Sequence, residues 1–250
     1  MNRIIPQLHI KGPMVVKPIH TEALRIVGEP IELAKRYYRD GADEIIFLDI
    51  VASLYGRNPD LTLIEVVSNA IFVPLTVGGG IRTIHDIAQV LRAGADKIAI
   101  NTHAIKNPPF LKEAVEQFGA QCIVLFIEAK NQGPGKWEAY TDGGRERTGC
   151  DVIDWVKRAL DFGVGEILVT SIDRDGTRRG YDLELVRAIT AISPVPVIAH
   201  GGAGTKETFK DVLIDARADA VAASSVFHYR DYSIAELKNY LRNEKIDVRL

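Results

Sequence analysis

Two cysteines in 250 residues leave no material for a disulfide framework. Cys122 falls in the apolar run 122–127, where a small buried thiol is the expected reading. No apolar run approaches the roughly 18 residues of a membrane-spanning helix, and residues 1–6 lack the apolar stretch of a secretory leader. The expected compartment is therefore the cytoplasm, with no membrane partner. A surplus of one charge is also missing: 31 basic and 33 acidic residues give a formal net charge of -2, so no nucleic-acid partner is expected. The six histidines form no HExxH or similar spacing, and neither a metal nor a cofactor is expected.

What the chain does have is 46% hydrophobic residues and a repeat. Residues 73–83 (VPLTVGGGIRT) followed by 94–101 (GADKIAIN) return as 195–205 (VPVIAHGGAGT) followed by 218–224 (ADAVAAS). Each copy reads as a buried strand, a glycine run, a helix opened by Thr83 or Thr205 as N-cap, and a second buried strand. Glycines there let backbone N–H groups face an anion at a helix start, so the spacing predicts two phosphate cradles, one per half. The repeat spans more than the glycine runs: 41–46 (GADEII) matches 163–168 (GVGEIL), and 9–11 (HIK) matches 128–130 (EAK).

Short apolar runs alternate with helical patterns throughout. Strands are predicted near 3–9, 44–49, 74–77, 96–100, 122–128, 166–170, 195–199 and 218–223. Helices are predicted near 30–40, 60–70, 83–93, 107–118, 150–162, 182–191, 205–215 and 233–243. Eight Ile- and Val-rich strands, each followed by a helix, imply parallel strands buried on both faces. The fold class is thus α/β, a (βα)8 TIM barrel filling residues 1–250 as one domain, with half-barrels of about 1–119 and 120–250. An open Rossmann-like sheet is the alternative, although GGG and GGAG match GxGxxG only weakly. Two connections are long, 11–21 and 131–149. The second contains a turn signal (NQGPG) and an alternating stretch at 136–141, which predicts a small hairpin over the barrel mouth.

Active residues in such a barrel collect at the C-terminal strand ends, here His9, Asp49, Asn101, Glu128, Thr170 and Ser224. His9 and Glu128 are repeat-related and come from opposite strands, as acid and base catalysis across a substrate requires; a pair that only shapes the pocket is the plainer alternative. Lys11 and Lys17 follow strand 1 and could meet an anionic substrate, with solvated surface lysines as the alternative. The loop 173–182 offers Asp175 as a positioned carboxylate. At the opposite end stand Arg3, Glu44, Lys97 and Glu166, two cations and two anions that pair as a floor plug, because buried charges must be paired. Period-2 counting puts Glu44 and Asp49 on different faces, which predicts a bulge. From floor to mouth the bore is roughly 16 Å long.

These motifs together, from Arg3 to about Tyr240, resemble the cyclase subunit of imidazole glycerol phosphate synthase. The resemblance implies a (βα)8 subunit that pairs as a heterodimer with a glutaminase on its N-terminal face and draws ammonia through the barrel. There the ammonia would react with a bisphosphorylated ribulosyl aminoimidazole carboxamide nucleotide, giving imidazole glycerol phosphate. By match, His9 and Glu128 take the catalytic positions; Lys17, Asp49, Thr170 and Asp175, read from their places at strand ends and loops, would contact substrate. Gly79, Gly80 and Asn101 would hold one phosphate, and Gly202, Gly204, Ser224 and Ser225 the other. Arg3, Glu44, Lys97 and Glu166 fall on the ammonia gate and Asp96 on a docking position.

The family has an aspartate at both catalytic positions, whereas this chain has His9 and Glu128. An unperturbed imidazole with a pKa of about 6.5 could still serve as acid or base near neutrality. His200 places a bulky ring beside the second glycine run. Two alternatives follow from the resemblance: a diverged paralogue passing ammonia to another acceptor, such as a nucleotide-linked sugar that becomes an amidine in surface-glycan synthesis, or a non-catalytic subunit that only activates its glutaminase.

Overall fold

The computed structural model describes residues 1–19 and 22–249. The chain runs β1 (Arg3–Lys11), β2 (Met14–Ile19), β3 (Glu22–Gly28), α1 (Pro30–Arg39), β4 (Ile45–Asp49), α2 (Leu61–Ser68), β5 (Leu75–Gly78), α3 (Ile84–Arg92), β6 (Lys97–Ile100), α4 (Thr102–Lys106) and α5 (Pro109–Phe118). After a 3-10 turn over Ala120–Cys122, it continues as β7 (Ile123–Gly133), β8 (Lys136–Thr141), β9 (Glu146–Asp151), α6 (Val152–Asp161), β10 (Glu166–Ser171), α7 (Leu183–Thr190), β11 (Val197–His200), α8 (Lys206–Ile214), β12 (Ala220–Ala223), α9 (Ser225–His228) and α10 (Ile234–Asn243). Cys122 ends that turn half-buried, so the thiol expected inside the strand precedes it instead.

Eight strands pair in parallel in the order β1, β4, β5, β6, β7, β10, β11, β12 and back to β1, which closes the (βα)8 barrel and rules out the open sheet. Outward side chains pack under the helices. Inward ones form a separate apolar layer of Ile5, Ile46, Leu48, Ala99, Val124, Leu168, Ile198, Ala220 and Ala222. The two faces of each strand are therefore both dry, which is why no polar alternation marks them in the sequence.

A turn device recurs at the N-terminal rim of alternate strands. Asp43, Asp96 and Asp219 each donate their own backbone N–H to a neighbouring strand and accept, through a carboxylate oxygen, the N–H of Ile4, Leu75 and Val197 at 2.8–2.9 Å. The residue two before each, Gly41, Gly94 or Arg217, has positive φ. In the fourth copy Gly165 donates the same backbone bond, to Ile123, but a side chain there would meet the Ala120 carbonyl oxygen at 2.2 Å. The Gly-Ala-Asp motif is thus a strand-start cap.

The long connections correct one expectation. Where a loop is expected over 11–21 the chain instead forms β2, which pairs with β3; His20 and Thr21 lie outside the described residues. Pairing of β1 with β12 ends at Pro6 and Ala223, and beyond it β2 takes the vacated edge, His9 opposite Val16. The second half repeats this: β7 leaves β6 after Leu125 and Ile100, and β8 takes the edge, Glu128 opposite Tyr140. The expected hairpin over the mouth is present as β7, β8 and β9. Thr83 caps α3 in a reciprocal capping box with Asp86, whereas the Thr205 side chain makes no cap bond to α8.

Asp43 also binds the ammonium of Lys238 at 2.7 Å, both side chains buried, while Asp96 is exposed. Asp43→Ala should therefore cost about 3–5 kcal/mol, since it strands a buried cation, and Asp96→Ala only about 1 kcal/mol. Urea unfolding followed by circular dichroism distinguishes them; equal losses would contradict the assignment.

Candidate functional site

The C-terminal mouth holds a cavity of about 160 Å3, room for on the order of ten waters. His9, Asp49, Gly79, Gly80, Asn101, Glu128, Thr170 and Asp175 all line it. His9 and Glu128 occupy equivalent places, each where its strand passes from a barrel neighbour to a hairpin strand, on the first and fifth strands of the ring.

Burial raises the Glu128 pKa to about 7, opposed by hydrogen bonds from the Gly144 backbone and the Asn101 amide. The Asn101 amide nitrogen is 2.8 Å from the carboxylate and 3.0 Å from the Tyr140 carbonyl oxygen, so β8 helps to fix it. His9 differs from the near-neutral imidazole expected. Burial, the Lys17 ammonium and the rings of His200 and His228 hold its pKa well below 6.5, leaving the ring neutral. Glu128 alone of the pair titrates near neutrality.

Lys17 is not a solvated lysine. It lies on β2, buried, with its ammonium 2.8 Å from the buried Asp175 carboxylate; Lys11 is exposed. Asp49 needs no bulge: β4 is regular, Glu44, Ile46 and Leu48 face inward, and Asp49 turns to the loop beyond it. Its carboxylate accepts from Val51 N at 3.1 Å and lies 3.6 Å from the Arg57 guanidinium.

The two glycine runs share the mouth but differ in surroundings. Gly79 has φ +99°, and a Cβ there would meet the Asp49 carbonyl oxygen at 2.2 Å; the tight approach of the β4–α2 loop dictates the glycine. Asp86 already accepts from the N–H groups of Arg82 and Thr83, so these two donors are taken. In this half the cavity wall is made by Gly79, Gly80, Asn101 and Thr102, with Arg82, His103 and Lys106 also lining it. In the second half, Gly202 accepts from the Gly180 N–H at 2.8 Å, and the Gly204 N–H donates to Thr208. The loop between β10 and α7 thus lies against the run. Gly202, Gly204, Ser224 and Ser225 do not line the cavity, and Ser224 and Ser225 are buried.

At the floor, Arg3 binds Glu44 at 2.9 Å and Glu166 at 2.5 Å, and Lys97 binds the same two carboxylates at 2.9 and 2.8 Å. Thr76 donates to Glu44 at 2.6 Å. Burial disfavours the Arg3 charge, but Glu166 and Glu44 outweigh it and raise its pKa. The floor is a closed ring of alternating charge, the paired plug expected. Asp96 lies on the same rim in its capping role.

Sequence reasoning missed Gln7, which is fully buried two residues before His9 and so on the same inward face. It also misplaced His200, whose ring turns into the bore and bonds Thr170 at 3.0 Å. Period-2 counting from His9 would have found Gln7. Among the described residues no group of side chains is arranged to hold a metal, and no helix is long and apolar enough to cross a membrane. A family model described as histidine biosynthesis protein matches residues 3–233.

The raised Glu128 pKa has a definite sign in stability. From about pH 4.3, its unfolded value, to about 7 folding takes up a proton at Glu128, so its contribution falls as pH rises. The buried histidines act oppositely: burial lowers His200 to about 4 and His228 to about 3, so their contribution is lost as pH falls below about 6.5. Glu128→Gln removes only the first effect. Between pH 5 and 8 the stability of the variant relative to wild type should rise by about 2–3 kcal/mol, measured by urea unfolding; a constant difference would place the carboxyl at its ordinary pKa.

Proposed function

The chain belongs to the histidine biosynthesis protein family, and from that premise we propose that it is an ammonia-using cyclase of the imidazole glycerol phosphate synthase type, a lyase that works with a glutaminase partner. The observation that carries this reading is a cavity in which a carboxyl with a pKa of about 7 sits beside a glycine-lined anion seat, above a bore closed by a charged ring. Ammonia released by the partner enters at the floor, past Arg3, Glu44, Lys97 and Glu166, with Asp96 on the docking face. At the mouth, the nitrogen lone pair adds to a substrate carbonyl carbon. Glu128 carries two protons in turn from nitrogen to the oxygen, first giving the hydroxyl of the adduct and then the water that leaves as the C=N bond forms. Gly79, Gly80 and Asn101 hold one substrate phosphate. The buried Lys17–Asp175 pair sits where a polar substrate would cross the mouth.

A second reading keeps the ammonia route but changes the acceptor, for instance to a nucleotide-linked sugar that becomes an amidine. It is favoured by the covered second glycine run and by a catalytic pair in which His9 is neutral. Gly202, Gly204, Ser224 and Ser225 serve a second phosphate only if the β10–α7 loop moves off them.

Purified protein with ammonium chloride at alkaline pH and the bisphosphate should give imidazole glycerol phosphate, and Glu128→Gln should lower kcat by about 10²- to 10⁴-fold. Wild-type protein that binds the bisphosphate without turning it over, while its glutaminase complex forms an amidine on a nucleotide-linked sugar, would replace the first reading by the second. An unchanged rate in Glu128→Gln would refute the role of that carboxyl.

A further inference from the structure

A circuit of hydrogen bonds crosses the bore beneath the cavity, and a single carbonyl sets its polarity. Ser224 Oγ lies 2.8 Å from the backbone oxygen of Gln7. A carbonyl only accepts, so the one hydroxyl proton of Ser224 is committed there. The same Oγ lies 3.4 Å from His200 Nε2, and the proton of that contact must therefore belong to the ring nitrogen. The His200 ring is neutral, so with its proton on Nε2 its Nδ1 is bare. That Nδ1 receives the Thr170 hydroxyl at 3.0 Å and the Gln7 amide nitrogen at 3.3 Å. Gln7 must then turn its NH2 toward His200. The same NH2 reaches His9 Nε2 at 3.0 Å and donates its second proton to it.

His9 is neutral too, so its own proton resides on Nδ1. Among the described residues that atom is buried without a hydrogen-bond partner, on a residue that lines the cavity. A donor in this position is made for an acceptor brought by a guest, since leaving it unpaired is costly.

We propose that Gln7 and His200 are positioning residues that lock His9 in the Nδ1–H form, and that His9 serves the substrate as a neutral hydrogen-bond donor to a carbonyl or hydroxyl oxygen. This rests on the reading of the cavity as the reaction chamber. A neutral imidazole polarises a carbonyl without surrendering its proton, so His9 steadies charge on oxygen while Glu128 moves protons. The arrangement also accounts for three polar residues in one bore: Gln7 and His200 are the groups that a histidine at position 9 needs in order to present one defined tautomer.

Imidazole ¹⁵N NMR of the ligand-free protein near neutral pH tests the tautomer without reference to any activity, so it stands or falls apart from the proposed reaction. The expected spectrum shows His9 with a protonated Nδ1 and a bare Nε2, and His200 with the reverse. In Gln7→Glu, whose carboxylate only accepts, the His9 proton should move to Nε2. With any substrate found to turn over, Gln7→Glu should then lower kcat more than it changes KM, and Gln7→Asn should restore neither. His9 protonated on Nε2 or on both nitrogens in wild type, or an unchanged His9 in folded Gln7→Glu, would overturn the proposal. Should Gln7→Glu not fold, the wild-type spectrum decides.

Discussion

Closure of the parallel sheet between β12 and β1 buries most of the inward side chains, and the chemistry of this barrel follows from that desolvation. At the mouth it lifts the Glu128 carboxyl to the middle of the pH scale and strips charge from His9 and His200. At the floor it makes isolated charge untenable, so Glu44 and Glu166 each hold both Arg3 and Lys97. Between the floor and the buried polar groups under the mouth, Ile5, Ile46, Val124, Leu168 and Ile198 form an apolar layer. One physical cause thus produces a reactive end, an inert middle and a paired end.

Much of this was legible in the residues, and the failures have identifiable causes. The barrel strands announced themselves as apolar runs because both faces are buried, and the glycine repeat marked the turns correctly. His9 and Glu128 were found because they are repeat-related and end their strands. The first hairpin escaped because the β2 run around Val15 and Val16 is short, and the reading treated it as loop. Spacing alone could not reveal that Asp86 takes the N–H groups of Arg82 and Thr83, just before α3. The parity of Asp49 against Glu44 called for a bulge, but β4 is regular and Asp49 ends it at the cavity wall. Gln7 was overlooked although simple alternation from His9 reaches it.

The two halves share a plan and differ in what they leave open. In each, the first strand outruns its barrel neighbour and a hairpin strand takes the vacated edge. Just past β8 the Asp142 N–H meets the Thr102 hydroxyl at 3.0 Å, yet Ala104 alone of α4 is buried. In α9 all four residues are buried, with His228 2.5 Å from the Tyr37 hydroxyl. The first half therefore offers a wall to a ligand and the second offers packing. Equal motifs do not guarantee equal sites, because occupancy of a turn depends on what the next loop lays against it.

The two hairpins have a further effect. A ring of eight strands has no free border, but among the described residues β3 and β9 each pair on one side only and so restore an unpaired row of backbone groups, both at the mouth. The β2–β3 ladder is interrupted by register shifts, and so is that of β8 and β9. Such irregularity discourages a neighbouring chain from templating on these rows. Ile26, exposed on β3, lies directly beside one of these shifts, so the most apolar point of that border is also one of its least regular.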